Sequence, residues 1–80
     1  MRNHMESKQY YVLPKIASKI VELQTDHSLP VNIIVGETVN GMKPITFEYE
    51  KIDYHLVAWL VKKGEQFYTN LPIEEIKNDD

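Results

Sequence analysis

The stretch "YHLVAWLVKK" runs from Tyr54 to Lys63 and carries apolar side chains at both even-numbered and odd-numbered positions. In a strand, alternate residues point to opposite faces of the sheet. The two apolar sets are Leu56, Ala58 and Leu60 on one face, and Val57, Trp59 and Val61 on the other. We interpret the stretch as a strand buried on both faces, so its second face needs a cover from a helix or from another subunit.

The segment that follows, "GEQFYTNLPIEEI", extends from Gly64 to Ile76 and contains two turn signals. Gly64 comes after a pair of lysines and predicts the turn of a hairpin, and a proline marks a second turn. Between the two turns, Gln66–Thr69 is interpreted as a further strand. Ile73 and Ile76 would then point back towards the core and close the fold.

Upstream of these strands, the spacing of apolar residues indicates one amphipathic helix from Pro14 to about Asp26. Proline suits the first turn of a helix, because its missing N–H is not needed there. The residues that recur at spacings of three and four are Leu13, Ile16, Ala17, Ile20, Val21 and Leu23. The preceding "QYYVL", from Gln9 to Leu13, is either a short strand or an anchor for the chain.

Strand patterns begin again after Pro30. In "VNIIV", Val31, Ile33 and Val35 share one face, and the Asn40-Gly41 pair is a strong signal for a tight turn because both residues tolerate positive φ. In "ITFEYEKI", apolar Ile45, Phe47 and Tyr49 alternate with Thr46, Glu48 and Glu50, as in a half-buried strand.

These elements predict a mostly β fold: an N-terminal amphipathic helix followed by a five-stranded antiparallel SH3-like or Sm-like small barrel. The expected organisation is a flexible segment at residues 1–8, a single domain at residues 9–76 and an acidic tail at residues 77–80. Trp59 and Phe67 are expected to lie in the core and to serve stability.

Composition limits the class of protein. The chain has 80 residues, a net charge of −3 and no cysteine. A chain of this length forms one domain, and the absence of cysteine excludes disulfides and thiolate metal sites. No apolar run reaches the length of a membrane span and no signal-peptide core is present, so we expect a cytoplasmic protein. The negative charge means that any nucleic-acid contact depends on a local patch.

The order of several short motifs resembles the Hfq-type Sm-like RNA chaperones. Those proteins have a helix, a Pro-Val opening of the first strand, a Val-Asn-Gly-x-Lys turn, an aspartate segment, a Tyr-Lys-His tripeptide and a final Ile-x-x-Val step. The matching positions here are Pro30-Val31, Val39–Lys43, Asp53, Tyr68 and Ile73–Ile76. The match covers residues 30–76, and none of its pieces is specific by itself.

The resemblance implies a homo-oligomeric ring that binds RNA and acts as a post-transcriptional regulator or RNA chaperone. In such a ring, Gln66–Thr69 would pair with the edge strand of a neighbouring copy. The residues implied to contact RNA are Lys43, Asp53, Tyr54, His55, Tyr68, Thr69 and Asn70. The family's Tyr-Lys-His signature is replaced by Tyr68-Thr69-Asn70, which lacks a cation, so phosphate contacts would be few.

The alternative is an SH3-like protein-interaction module that binds a partner by an exposed strand edge or an apolar face, and the negative net charge favours it. Catalysis is not expected: Asp53 and His55 would share one face of a strand, but no nucleophile accompanies them, and Asp26-His27 is interpreted as a helix-ending turn. His4, His27 and His55 lack the spacing of metal ligands, so neither a metal nor a cofactor is expected.

Overall fold

Three strands and two long helices form the part of the chain that the structure describes. The computed structural model describes the backbone of residues 5–79 and the side chains of residues 5–67. The elements are β1 (Met5–Val12), α1 (Pro14–Asp26), β2 (Asn32–Val35), β3 (Lys43–Glu50), a short 3-10 helix (Lys51–Asp53) and α2 (Tyr54–Asp79). Across the sheet the strand order is β1-β3-β2, and both outer strands run antiparallel to β3. The outer strands are therefore parallel to each other, and α1 connects them.

The central strand β3 has the two faces that its alternation predicts. Ile45, Phe47 and Tyr49 are at most 1% exposed, whereas the side chains between them are only half-buried. One face of the sheet is thus covered by the helices and the other is open. The prediction that Ile45, Phe47 and Tyr49 lie on the buried face of a half-buried strand is confirmed.

Both helices pack on the covered face of the sheet and against each other. The fully or nearly fully buried core consists of Val12, Ile16, Ala17, Ile20, Val31, Ile45, Phe47, Tyr49, Val57 and Leu60. Helix α1 has the predicted bounds, with Pro14 in its first turn. Ser28, two residues after its end, has a φ of 51°, a left-handed conformation that stops the helical path.

The predicted Asn40-Gly41 turn is also present. The φ angles of these residues are 54° and 82°, and the backbone N–H groups of Val39 and Met42 donate to each other's carbonyl oxygens. Positive φ at both central positions matches the twist of the flanking chain segments. The turn leads into β3.

The prediction of a five-stranded barrel is wrong, because Tyr54–Asp79 forms one continuous helix in place of the last strands. Val57, Leu60 and Gly64 are buried at spacings of three and four, and Ala58 and Lys62 are exposed. Leu56, Trp59 and Val61 are half-buried and flank this stripe. A helix with a wide apolar face and a strand that is apolar on both faces produce the same short run of apolar residues. Hydrophobic periodicity does not distinguish these two structures.

Gly64 is a packing residue of α2 and not the turn that the sequence predicts. A Cβ atom at this position would lie 2.6 Å from Cγ1 and 3.2 Å from Cδ1 of Ile20, which is itself completely buried. The glycine therefore lets the backbone of α2 approach α1 more closely than any side chain would allow.

Two further expectations change with the helix. Gln66–Thr69 is helical, so the strand-paired ring contact assigned to it is wrong. Phe67 is 42% exposed and not in the core, whereas Trp59 is half-buried and packs against the core. At the other end, β1 begins at Met5 instead of Gln9, so residues assigned to a flexible segment form the first half of this strand.

Candidate functional site

A shallow groove opens where the C-terminal end of α1 meets the first turns of α2. It encloses about 450 Å³ and is lined by His27, Leu29, His55, Leu56 and Trp59. We call it the aromatic groove. Among the described residues, its lining includes no lysine, arginine or carboxylate, so the described walls are apolar apart from two imidazoles and one indole N–H.

The first wall comes from the segment that ends α1. The backbone N–H of His27 donates to the Leu23 carbonyl oxygen at 3.1 Å, which places the imidazole directly after the last turn. Gln24 donates from Nε2 to the carbonyl oxygen of Leu29 at 3.0 Å, and the N–H of Leu29 donates to the Gln24 carbonyl at 3.1 Å. These reciprocal bonds fix the loop, so the side chain of Leu29 has a defined position.

The second wall is a face of α2. His55, Leu56 and Trp59 lie at spacings of three and four, so their side chains share one side of the helix. The Trp59 and His27 rings join the two walls in an edge-to-face contact, with centroids 5.3 Å apart and planes at 86°. An aromatic pair in this arrangement stabilises the site by about 0.5 to 1.5 kcal/mol.

Four of the seven residues predicted to bind RNA have described side chains, and among these Lys43 lies apart from Asp53, Tyr54 and His55. His55 lines the aromatic groove, and Asp53 and Tyr54 precede it in the chain. Lys43 lies at the start of β3, where its Nζ donates to Thr38 Oγ1 at 3.1 Å, and it lines a separate 260 Å³ groove. The structure describes the backbone of Tyr68, Thr69 and Asn70, which is part of α2, but not their side chains.

Tyr54 takes part in a different cluster, next to the covered face of the sheet. Its ring lies 6.1 Å from that of Tyr49 and 5.9 Å from Nζ of Lys8. Burial raises the pKa of the Tyr49 hydroxyl above its usual value, with a further rise from the nearby Glu6 carboxylate. Burial also raises the pKa of Tyr10, and the nearby Tyr54 adds to that rise.

The raised pKa values of Tyr10 and Tyr49 predict a loss of stability in alkali. In the unfolded chain both hydroxyls ionise near pH 10, before they ionise in the folded protein. Below about pH 10 both hydroxyls are neutral, and their contribution to the free energy of unfolding is fully present. This contribution is lost as the pH rises through the pKa values of the folded protein. As the pH is raised from neutral to alkaline, urea unfolding should show a smaller loss of unfolding free energy for Tyr49→Phe than for the parent. Tyr11→Phe, at an exposed position, is the control, and an equal loss in all three proteins would contradict this account.

Sequence patterns did not identify most of the groove. The sequence pattern predicts Trp59 in the core and His27 in a helix-ending turn. Leu29 and Leu56 carried no functional signal. A helical interpretation of residues 54–63 would have placed His55, Leu56 and Trp59 on one face, but their meeting with His27 depends on how the helices pack.

No family model matches the chain, and neither the curated proteins nor the solved structures contain a match.

Neither described helix combines the length and apolar character needed to cross a lipid bilayer. Within the described residues, no three His, Cys, Asp or Glu side chains lie close enough together to hold a metal ion.

Proposed function

We propose that the protein is a protein-interaction module that binds a partner segment through the aromatic groove. The observation that carries this proposal is the half-buried Trp59, which faces an open apolar groove next to His27. Tryptophan in a partly enclosed apolar pocket is the residue type most often responsible for binding energy at protein interfaces.

The shape and charge of the site define the expected partner. An open groove of about 450 Å³ accommodates one bulky apolar side chain with its adjoining backbone. The imidazoles of His27 and His55 can exchange hydrogen bonds with that backbone. Asp26 directly precedes His27, Asp53 lies two residues before His55, and the net charge is −3. We therefore expect a leucine or aromatic anchor flanked by basic residues.

Selection from a displayed random peptide library tests this partner chemistry. The folded protein should enrich peptides with one bulky apolar residue and basic neighbours. In NMR titrations, these peptides should shift the Trp59 indole N–H and the ring protons of His27 and His55. Peptides without a common anchor, or shifts confined to other surfaces, would rule out the groove as the binding site.

Trp59→Ala should weaken binding of a selected peptide by about tenfold or more, because it removes the central apolar wall. Since Trp59 also packs against the core, thermal melting must show that the variant is folded. His55→Ala changes an exposed groove residue and should weaken binding with little effect on stability. Phe67→Ala, at an exposed aromatic outside the groove, is the matched control and should bind like the parent. Unchanged affinity in both groove variants would refute the proposal.

RNA binding is the second candidate function, and a surface on the outer side of the helices favours it. Lys15, Ser18, Lys19, Glu22 and Phe67 line a groove of about 360 Å³. The Nζ of Lys19 lies 4.5 Å from the centroid of the exposed Phe67 ring. An exposed aromatic beside lysines can stack a base and neutralise a phosphate. Glu22 limits this surface, because its carboxylate lies 3.6 Å from the same ammonium group.

The open face of the sheet offers no comparable support for RNA. By the strand register, this face carries Met5, Ser7, Gln9, Tyr11, Asn32, Ile34, Pro44, Thr46, Glu48 and Glu50. Two of these residues are acidic and none is basic, so the face would repel phosphate.

Uridine-rich and adenine-rich oligonucleotides distinguish the two candidates. If Lys15 and Lys19 neutralise two phosphates of single-stranded RNA, the logarithm of the affinity should fall with the logarithm of salt with a slope of about −1.4. Lys19→Ala should then reduce the slope, and Phe67→Ala should weaken binding. Absence of binding at low salt would leave the peptide-binding function alone.

A further inference from the structure

Within the described part of the chain, the outer edge of β1 is a long row of unpaired backbone groups. β1 has eight residues, and its inner edge pairs with β3 along its whole length, from Met5–Glu50 to Val12–Lys43. Among the described strands, none pairs with its outer edge. The opposite edge of the sheet, β2, has only four residues. A long unpaired edge is a template for another strand, since its N–H and C=O groups are already aligned.

The charges along β1 suit a second copy of the same strand. Glu6 and Lys8 are both exposed and lie two residues apart, so they are on the same face of the strand. When two such strands pair antiparallel about a two-fold axis through Ser7, Glu6 of each copy lies opposite Lys8 of the other. This register forms two opposite-charge pairs.

Other symmetric registers are less favourable. A two-fold axis through Lys8 places the two copies of this lysine opposite each other, and like charges at directly opposed positions destabilise a sheet. An axis through Gln9 places Lys8 opposite Tyr10 and Glu6 opposite Val12, so neither charge has a partner. The charges therefore select the register centred on Ser7.

We propose that two copies of this chain join through β1 in the antiparallel register centred on Ser7, so that two three-stranded sheets become one six-stranded sheet. The two-fold axis is perpendicular to the sheet, because antiparallel pairing keeps corresponding faces on the same side. The helices of both copies then lie on one face. The aromatic groove contains no residue of β1, so this interaction is independent of the proposed function.

Charge exchange tests both the dimer and its register. Sedimentation over a concentration series should show a monomer–dimer equilibrium for the parent. Glu6→Lys and Lys8→Glu, each alone, replace two attractive pairs with two repulsive pairs and should raise the dimer Kd by about tenfold. The double exchange, Glu6→Lys with Lys8→Glu, restores opposite charges and should recover most of the parent affinity.

Hydrogen exchange of the parent protein provides a test that needs no variant. Protection of outward-facing β1 amides should rise with protein concentration, whereas the amides of β2, at the other edge, should not change. A monomer at all concentrations, or equal dimerisation of the parent and both single variants, would overturn the proposal. Single variants that fold and weaken the dimer without recovery in the double exchange would overturn the Ser7 register.

Discussion

Phe47→Ala is expected to lose about 3 to 5 kcal/mol of unfolding free energy, the usual cost of truncating a buried aromatic side chain. Phe47 is completely buried in the central strand, and its ring meets that of Tyr10 edge-to-face with centroids 5.6 Å apart. A domain of this size has about 4 to 12 kcal/mol in total. The variant should therefore be largely or completely unfolded, as measured by urea titration and circular dichroism.

Phe67→Ala is the matched control, because it makes the same chemical change in the other phenylalanine. Its side chain is 42% exposed, and its described partner is the ammonium group of Lys19. An exposed cation–π contact is worth about 0.5 to 1 kcal/mol, so this variant should stay folded. Equal losses from the two substitutions would contradict the placement of Phe67 on the surface.

Gly64→Ala is expected to destabilise the protein by about 1 to 3 kcal/mol, the typical cost of overpacking a well-packed interior. The result is informative because intrinsic helix propensity predicts the opposite sign: at an exposed helix position the same change stabilises by about 1 kcal/mol. The added methyl would lie 2.6 Å from Cγ1 of Ile20, so this completely buried side chain would have to shift within the interior. Thermal and urea unfolding measure the sign directly.

Two companion variants separate the contact from propensity. Ala58→Gly, at an exposed position of α2, should lose about 1 kcal/mol through propensity alone. Ile20→Ala removes the atoms that the new methyl would meet, so the cost of Gly64→Ala should shrink or reverse in the Ile20→Ala background. Additive effects of these two substitutions would show that the helices do not meet at this point.

The candidate site was predicted in only one of its five residues. His55 was selected by a family resemblance, and the structure places it in the aromatic groove with Trp59 of the same helix. His27 lies 32 positions before Trp59 in the chain, yet their rings are 5.3 Å apart. No local pattern reports such a contact, because it depends on how α1 and α2 pack. Lys43, also selected by the resemblance, lines a different groove.

The sequence by itself determined the elements whose patterns have a single explanation. Pro14 and the stripe that follows it specify α1, the alternation of Ile45, Phe47 and Tyr49 specifies β3, and Asn40-Gly41 specifies the turn before it. Each pattern combines a clear period with residues of suitable backbone preference, so local physics is sufficient.

Only the tertiary structure decided the state of residues 54–79. Their apolar run is compatible with a doubly buried strand or with a broad helix face, and Gly64 suits a hairpin turn as well as a close helix contact. The sheet formed by β1, β2 and β3 has one apolar face, and α1 alone covers only part of it. A second helix, α2, covers the rest of this face. Val57 and Leu60 are buried there, and Gly64 admits the close approach to Ile20. The strands that form that face are distant from residues 54–79 in the chain. The need to cover that face is the physical reason that α2 is a helix.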